Sequence, residues 1–182
     1  MLIGDRVIIR PIEKGDFELF YSWIQSQKCL GDFMDMEMVY KDYFLENFEK
    51  STKNVNRFYA IIEDKDGRSI GEINSMDVTG SNTTLEIGLL IAEESSRGQG
   101  IGIECMRLFV NFLFKTKNIM RIQYKTRSDN IAMKIIGEKT GFNLEGTLKK
   151  FTFVDGDFRD FYMMAITRDH WNCIDKDINT SC

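Results

Sequence analysis

The sequence predicts an α+β fold: a mixed, mostly antiparallel central sheet flanked by helices. Three observations carry that reading. Residues 57–91 fall into three apolar, β-branched runs separated by glycine turns, the pattern of an antiparallel meander. A glycine-rich stretch, Ser96-Arg97-Gly98-Gln99-Gly100-Ile101-Gly102, then joins the third run to a segment with helical spacing. After it, strand and helix patterns alternate once more before a closing strand pair, so helices and antiparallel strands share one core.

The elements follow in order. Leu2–Arg10 is rich in Val and Ile and reads as the first strand, with Pro11 after it. Asp16 is placed to cap a helix that carries Phe17, Phe20, Tyr21, Trp23 and Ile24 on one broad face. Leu30–Val39 is Met-rich and ambiguous, and Lys41–Lys50 reads as a second helix with Phe44, Leu45 and Phe48 on its apolar side. Arg57–Glu63, Ser69–Val78 and Thr83–Ile91 are the meander strands, with Asp66-Gly67 and Gly80-Ser81-Asn82 as turns. Glu104–Lys115 has helical spacing at Cys105, Leu108, Phe109, Phe112 and Leu113. Arg121–Thr126 is a strand, and Asn130–Lys139 is a helix stopped at Thr140-Gly141. Phe142–Lys150 and Phe158–Ile166 form the closing pair around Asp155-Gly156.

The chain has 182 residues, which matches one domain by length; residues 1–171 are expected to form it, and 172–182 a frayed polar tail. Net charge is −4, with 28 Asp+Glu against 24 Lys+Arg, so no global field favours nucleic acid. Apolar runs such as Leu89–Ala92 are too short to span a bilayer, and Met1–Arg10 lacks a signal-peptide core. The expected address is the cytoplasm, with no membrane partner. Cys29, Cys105, Cys173 and Cys182 form no CxxC pair and read as structural or incidental. His170 is the only histidine, which argues against a zinc site and a His-dependent triad; no metal is expected.

Chemistry concentrates in the glycine stretch. Glycines let a backbone approach a ligand closely. The helix that starts here leaves its first amides without intrahelical acceptors and carries a partial positive charge. Together these favour phosphate, and Arg97 adds a forked cation. A Walker loop needs Gly-Lys-Ser/Thr, whereas the chain has Gly102-Ile103-Glu104. A dinucleotide fingerprint needs glycine at 103 and an opening βαβ unit, and neither is present. Arg-x-x-Gly-x-Gly between strand and helix matches at every position; the competing reading is a turn that only connects the two.

At these residues the sequence resembles the GNAT acyltransferase superfamily, over about residues 5–168. Leu85–Ile91 running into Arg97–Gly102 resembles that family's central strand and pyrophosphate loop. Asn130-Ile131-Ala132-Met133 followed by Glu138-Lys139-Thr140-Gly141-Phe142 resembles its Asn-led helix ending in Gly-Phe. Leu144-Glu145-Gly146 and Gly156-Asp157-Phe158-Arg159-Asp160 resemble the subgroup of ribosomal-protein N-terminal and spermidine acetyltransferases. The resemblance implies a sheet that splays after the central strand and admits acetyl-CoA as co-substrate. It implies that Leu89, Leu90 and Ile91 pair with the pantetheine arm and that Arg97, Gly98, Gln99, Gly100, Ile101 and Gly102 hold the pyrophosphate. Asn130 would contact the arm; the plain alternative is a helix N-cap, a role that Asp129 could also fill.

The implied reaction is direct acetyl transfer from the thioester to a primary amine. An amine with a pKa of about 10.4 must first lose a proton. An amide near Leu90 would hold the oxyanion. Glu86, just ahead of the loop, is the first candidate for the base, with a solvated strand carboxylate as its plain reading; Glu72, in Ile70-Gly71-Glu72-Ile73-Asn74, is the second and could help bind a cationic substrate. By strand alternation Glu86 shares a face with Gly88, and Ile87 with Leu89. The chain departs from many relatives at the general acid. Gly137 stands seven residues after the helix asparagine, where they carry tyrosine, and Met133 three residues after it, where others carry serine. Tyr162 is the substitute candidate, with Tyr124 read as a strand aromatic. The acceptor is open among a protein N-terminus, a polyamine, an aminoglycoside and an amino sugar; Asp32, Asp35, Glu37, Asp42 and Glu46 suit a cationic one. A homodimer is in keeping with the resembling subgroup. The rival reading is an acyl-CoA-binding regulatory or scaffold protein with degraded chemistry, motivated by the missing tyrosine and serine.

Overall fold

A computed structural model describes the backbone of every residue except Glu37, Asp155, Ser181 and Cys182, and side chains through Ile174. The expectations attached to Glu37, Asp155 and Cys182 therefore lie outside the described residues. The N-terminal apolar run is split by Gly4-Asp5-Arg6 into β1 (Leu2–Ile3) and β2 (Val7–Pro11). There follow α1 (Phe17–Ile24), a short α2 (Gln27–Leu30), α3 (Lys41–Thr52), and the meander β3 (Arg57–Asp64), β4 (Ser69–Asp77) and β5 (Thr84–Ile91). Next come α4 (Ile101–Thr116), β6 (Arg121–Arg127), α5 (Ile131–Lys139), β7 (Asn143–Val154), β8 (Asp157–Thr167) and α6 (Arg168–Thr180). The strand order is β1-β2-β3-β4-β5-β6-β8-β7; β1–β2, β2–β3, β3–β4, β6–β8 and β7–β8 pair antiparallel, and β5 pairs parallel with β6. The chain beyond Trp171, expected as a frayed tail, continues helical to Thr180.

The structure divides into two compact units. The first comprises Met1–Met76 and Gly88–Cys105, the second Asp77–Ile87 and Met106–Cys182. Strand β5 and helix α4 run through both. In the first unit, Val7, Ile9, Ala60, Ile61, Ile62, Ile70 and Ile73 form the buried sheet core. Phe48 of α3 collects Phe17, Phe20, Phe44 and Tyr59 around it, with ring centroids 4.5–5.4 Å apart. Aromatic pairs at such separations add to the area they bury. Asp16 precedes α1 as expected but does not cap it. Its carboxylate accepts instead from the Arg10 guanidinium at 2.7 and 2.9 Å and from the Glu13 amide at 2.8 Å.

In the second unit, Phe109, Val110, Leu113 and Phe114 of α4 are buried, as are Ile122, Tyr124, Met164 and Ile166 of the strands. Arg168 donates to the carbonyls of Phe114, Lys117 and Ile119 at 2.6–2.9 Å. Its cation thus meets the carbonyl end of α4, where the helix dipole favours positive charge. The parallel ladder between β5 and β6 pairs Thr84–Glu86 with Arg121–Gln123. No helix among the described residues is long and apolar enough to cross a membrane.

Candidate active site

The first unit holds the glycine loop. Gly98 and Gly100 have φ of 74° and 80°, left-handed conformations that disfavour any residue with a Cβ. α4 starts at Ile101, three residues earlier than its apolar periodicity indicates, so the loop's last glycine is already in the first turn. The amides of Ile103 and Glu104 both donate to Gly100 O, at 3.1 and 3.2 Å. The amides before them belong to the helix end that has no intrahelical acceptors.

The strand leading into the loop carries a bulge. Two successive amides, Ala92 and Glu93, donate to the same carbonyl, Ile70 O, at 2.9 and 3.1 Å. Two residues facing one partner is the mark of a bulge, and it re-aims the backbone beside it. Gly71 makes room: a Cβ there would lie 2.1 Å from Leu90 O. The side-chain phase also changes within β5, before the bulge. Leu85 and Ile87 are buried, but after them Leu90 and Ala92 are buried and Leu89 is half-exposed. Strict alternation, which paired Leu89 with Ile87, therefore fails at the second half of β5. Leu90 and Ala92 pack with Trp23, Leu30 and Ile61.

Arg97 turns back from the loop. Its Nε donates to Ile91 O at 2.8 Å, and its Nη2 to Lys28 O at 3.0 Å, Ala92 O at 3.3 Å and Cys29 O. The guanidinium ties the end of β5 to the end of α2, beneath Gly31, where a Cβ would lie 3.2 Å from Nη1.

Glu72 lies on β4 in the same unit, 6 % exposed. Burial pushes its carboxyl up to about 8; a hydrogen bond from Asn74 pulls the other way and is outweighed. Asn74 Nδ2 reaches both carboxyl oxygens, at 3.0 and 3.3 Å. The amide of Asn74 lies over Gly88 of β5: a Cβ at 88 would stand 2.8 Å from Nδ2. Glu72, Asn74 and Gly88 are thus interlocked, and only glycine at 88 leaves the amide in place. Among the candidate carboxyls Glu72 is the buried one. Cys105 is also buried, its thiol pushed up to about 12 by burial and then by the Glu104 charge, so it is inert as a nucleophile.

The second unit holds the remaining candidates. Glu86 is ion-paired through Oε1 with Lys125 Nζ at 3.1 Å, and its Oε2 accepts from Gln123 Nε2 at 3.0 Å. Asn130 caps α5: its Oδ1 accepts the Met133 amide at 3.0 Å. Asp129, the alternative cap, is held instead by Arg127 at 2.7 and 3.0 Å. Gly137 has a steric reason. A Cβ there would stand 1.9 Å from the Tyr124 hydroxyl, which donates to Met133 O at 3.0 Å. The Tyr124 phenol is 1 % exposed, and burial, then the Glu138 charge, raises its pKa further above the ordinary range. Tyr162 is half-buried on β8, with Lys134 Nζ 5.9 Å from its ring centroid. His170 is exposed, and its Nδ1 is 3.2 Å from Asn143 Nδ2.

Residues 6–143, with the glycine loop and most of the sheet inside them, match the family described as the GNAT acetyltransferase domain. The chain belongs to the GNAT acetyltransferases. It is an acyl-CoA-dependent N-acetyltransferase. It is 27 % identical to the probable N-acetyltransferase YjcK of Bacillus subtilis (strain 168), covering 91 % of this chain and 96 % of that one. It is 25 % identical to the ribosomal-protein-serine acetyltransferase of Escherichia coli (strain K12), covering 79 % of each. The fold is that of the spermidine N-acetyltransferase from Vibrio cholerae solved in complex with CoA and spermine: TM-score 0.84 at 18 % identity, over 93 % of this chain and 99 % of that one. Within this acetyltransferase, the glycine loop and Glu72 were singled out from the sequence, whereas Asn74, which holds the Glu72 carboxyl, was not. Asn74 had a signal, since it lies two residues after Glu72 on one strand and so shares its face.

Proposed function

We propose that this acetyltransferase moves an acetyl group from acetyl-CoA directly to the primary amine of a cationic acceptor, with Glu72 as the base. The observation that carries the reading is the Glu72–Asn74–Gly88 interlock one strand away from the glycine loop. A carboxyl buried to a pKa of about 8 is matched to taking a proton near neutral pH. Glu86 fits the role less well, because it is part-exposed and ion-paired with Lys125, whereas Glu72 is buried beside a neutral amide. The amides of Gly98–Gly102 hold the pyrophosphate, and Leu89–Ile91 run beside the pantetheine arm, with an amide near Leu90 facing the oxyanion. Asn130 orders the first turn of α5 as its cap. Tyr162 is not needed as an acid: a thiol with a reference pKa of about 8.5 leaves as the thiolate over the range in which Glu72 ionises.

The acceptor is an amine that carries further positive charge. Asp32, Asp35, Asp42 and Glu46 are exposed on the segment around α3, and two relatives are named for a spermidine and a ribosomal-protein serine acceptor. The test is release of CoA from acetyl-CoA across polyamines, peptides with free N-termini, aminoglycosides and amino sugars. Turnover with one cationic class, lost in Glu72→Gln with acetyl-CoA binding intact, supports the reading. Tight CoA binding with no turnover across all four classes supports the regulatory alternative instead.

A further inference from the structure

The loop needs a cation at the phosphate, and the arginine within the loop is committed elsewhere. Arg97 donates to four backbone carbonyls and faces α2. A different guanidinium lies over the glycines. Arg6, from the turn between β1 and β2, places its Nη2 3.2 Å and its Nη1 3.5 Å from where a Gly100 Cβ would be. Its Nη1 donates to Gln99 O, and its Nε to Glu104 Oε2 at 3.0 Å. The Arg6 amide adds a bond to Glu104 Oε1 at 2.9 Å. Burial opposes the Glu104 charge, but the Arg6 amide and guanidinium outweigh it and hold the carboxyl below its ordinary value. Arg6 is thus fixed at the loop from two sides, through a carboxylate in the first turn of α4 and a loop carbonyl.

Three of its five N–H groups have no partner among the described residues: both on Nη2 and one on Nη1. Its side chain is 52 % exposed, so those groups are open to a ligand. A planar fork aimed over a glycine, with its own rotamer already held, suits a phosphate oxygen pair and loses little freedom on binding. Glu104 neutralises part of the charge, but it meets the guanidinium at Nε and leaves the Nη2 side unopposed.

We infer that Arg6 supplies the guanidinium that contacts the pyrophosphate of the acyl-CoA, while Arg97 holds the loop's shape. The inference rests on the glycine loop being the pyrophosphate site. The experiment is calorimetric binding of three probes, CoA, 3′-dephospho-CoA and S-acetylpantetheine, to the wild-type chain and to Arg6→Ala and Arg6→Lys. Circular dichroism and melting check that each variant is folded, and Arg6→Lys, which keeps the charge, serves if Arg6→Ala is not. Loss of charge-assisted hydrogen bonds raises Kd for CoA and dephospho-CoA by roughly tenfold to a hundredfold in Arg6→Ala. Arg6→Lys falls between, because a point charge replaces the fork. S-acetylpantetheine, which lacks the pyrophosphate, binds the wild type and both variants alike. A wild-type Kd for CoA in folded Arg6→Ala overturns the inference. A loss on CoA but not on dephospho-CoA also overturns it, by moving the contact to the 3′-phosphate. A wild-type chain that fails to bind CoA overturns the loop reading and this inference with it.

Discussion

Glu72→Gln separates a working carboxyl from a merely buried one. Folding raises the Glu72 pKa from its ordinary 4.5 to about 8 through burial. Between those values the folded chain holds a proton that the unfolded chain has released. The linkage sign follows: the group's contribution to stability is full below pH 4.5 and is lost progressively as pH rises to 8. The gap corresponds to roughly 5 kcal/mol at full ionisation. Glutamine keeps the shape and the Asn74 contact but cannot ionise, so the loss is absent from the variant. Urea unfolding of both proteins at pH 5, 6, 7, 8 and 9 reads the difference, in which all other titrations cancel. The variant's advantage is expected to grow by several kcal/mol between pH 5 and 8 and then level. A difference that stays flat within about 1 kcal/mol, against a linear-extrapolation uncertainty of that order, refutes the buried-carboxyl argument. Activity moves oppositely: kcat at pH 7 falls by about 10²–10⁴, and the limb near pH 8 disappears from the wild-type profile.

Gly88→Ala pushes the Asn74 amide off Glu72, so kcat falls while the Kd for acetyl-CoA, measured by calorimetry, stays within about threefold of wild type, a shift below 1 kcal/mol. Gly100→Val strains a backbone at φ 80° and crowds Arg6, so acetyl-CoA no longer raises the melting temperature, whereas the wild type gains the shift that native-state binding confers. Glu86→Gln breaks the Lys125 pair on a part-exposed strand; kcat at pH 7 is expected within about tenfold of wild type, and a loss as large as the 10²–10⁴ of a general base would return the role to Glu86. Gly137→Ala brings a Cβ against the Tyr124 hydroxyl and costs roughly 1–3 kcal/mol in urea unfolding; Tyr124→Phe in the same chain recovers part of it.

The parts of the site that were legible in the sequence are those set by backbone geometry. Gly98 and Gly100 announce their left-handed conformations because few other residues adopt them, and Asn130 announces a helix start. The parts that were not legible depend on long side chains and on packing. Arg97 reads as a phosphate ligand because its charge lies in the loop, yet its six-residue reach back to Ile91 O is invisible along the chain. Glu72 gives no sign of its burial along the chain. β4 is buried on both faces from Ile70 to Ile73, and a strand covered on both sides gives no alternation from which to tell an inward carboxyl. The phase change within β5 was hidden for a related reason: Leu89-Leu90-Ile91 is apolar at every position, so a one-residue slip of phase leaves no trace in the pattern.

Gly137 carries the same lesson further. Read along the chain it is a missing tyrosine, and it motivated the idea of degraded chemistry. In the structure it is half of an exchange: the Tyr124 phenol of β6 fills the space that a side chain on α5 would need and holds the Met133 carbonyl of that helix's first turn. The two positions exclude each other, so glycine at 137 follows from packing and is no measure of lost function. Nor can the phenol do the absent residue's work. It is buried, its pKa is raised and its proton is engaged by a carbonyl. An acetyltransferase built this way has no α5 tyrosine with which to protonate the thiolate and must work where the thiolate is an acceptable leaving group. That pH range, near the reference thiol pKa of about 8.5, overlaps the ionisation of Glu72. With Glu72 as the base we propose, base and leaving group become competent together, and a single titrating carboxyl is enough to set the pH dependence of turnover.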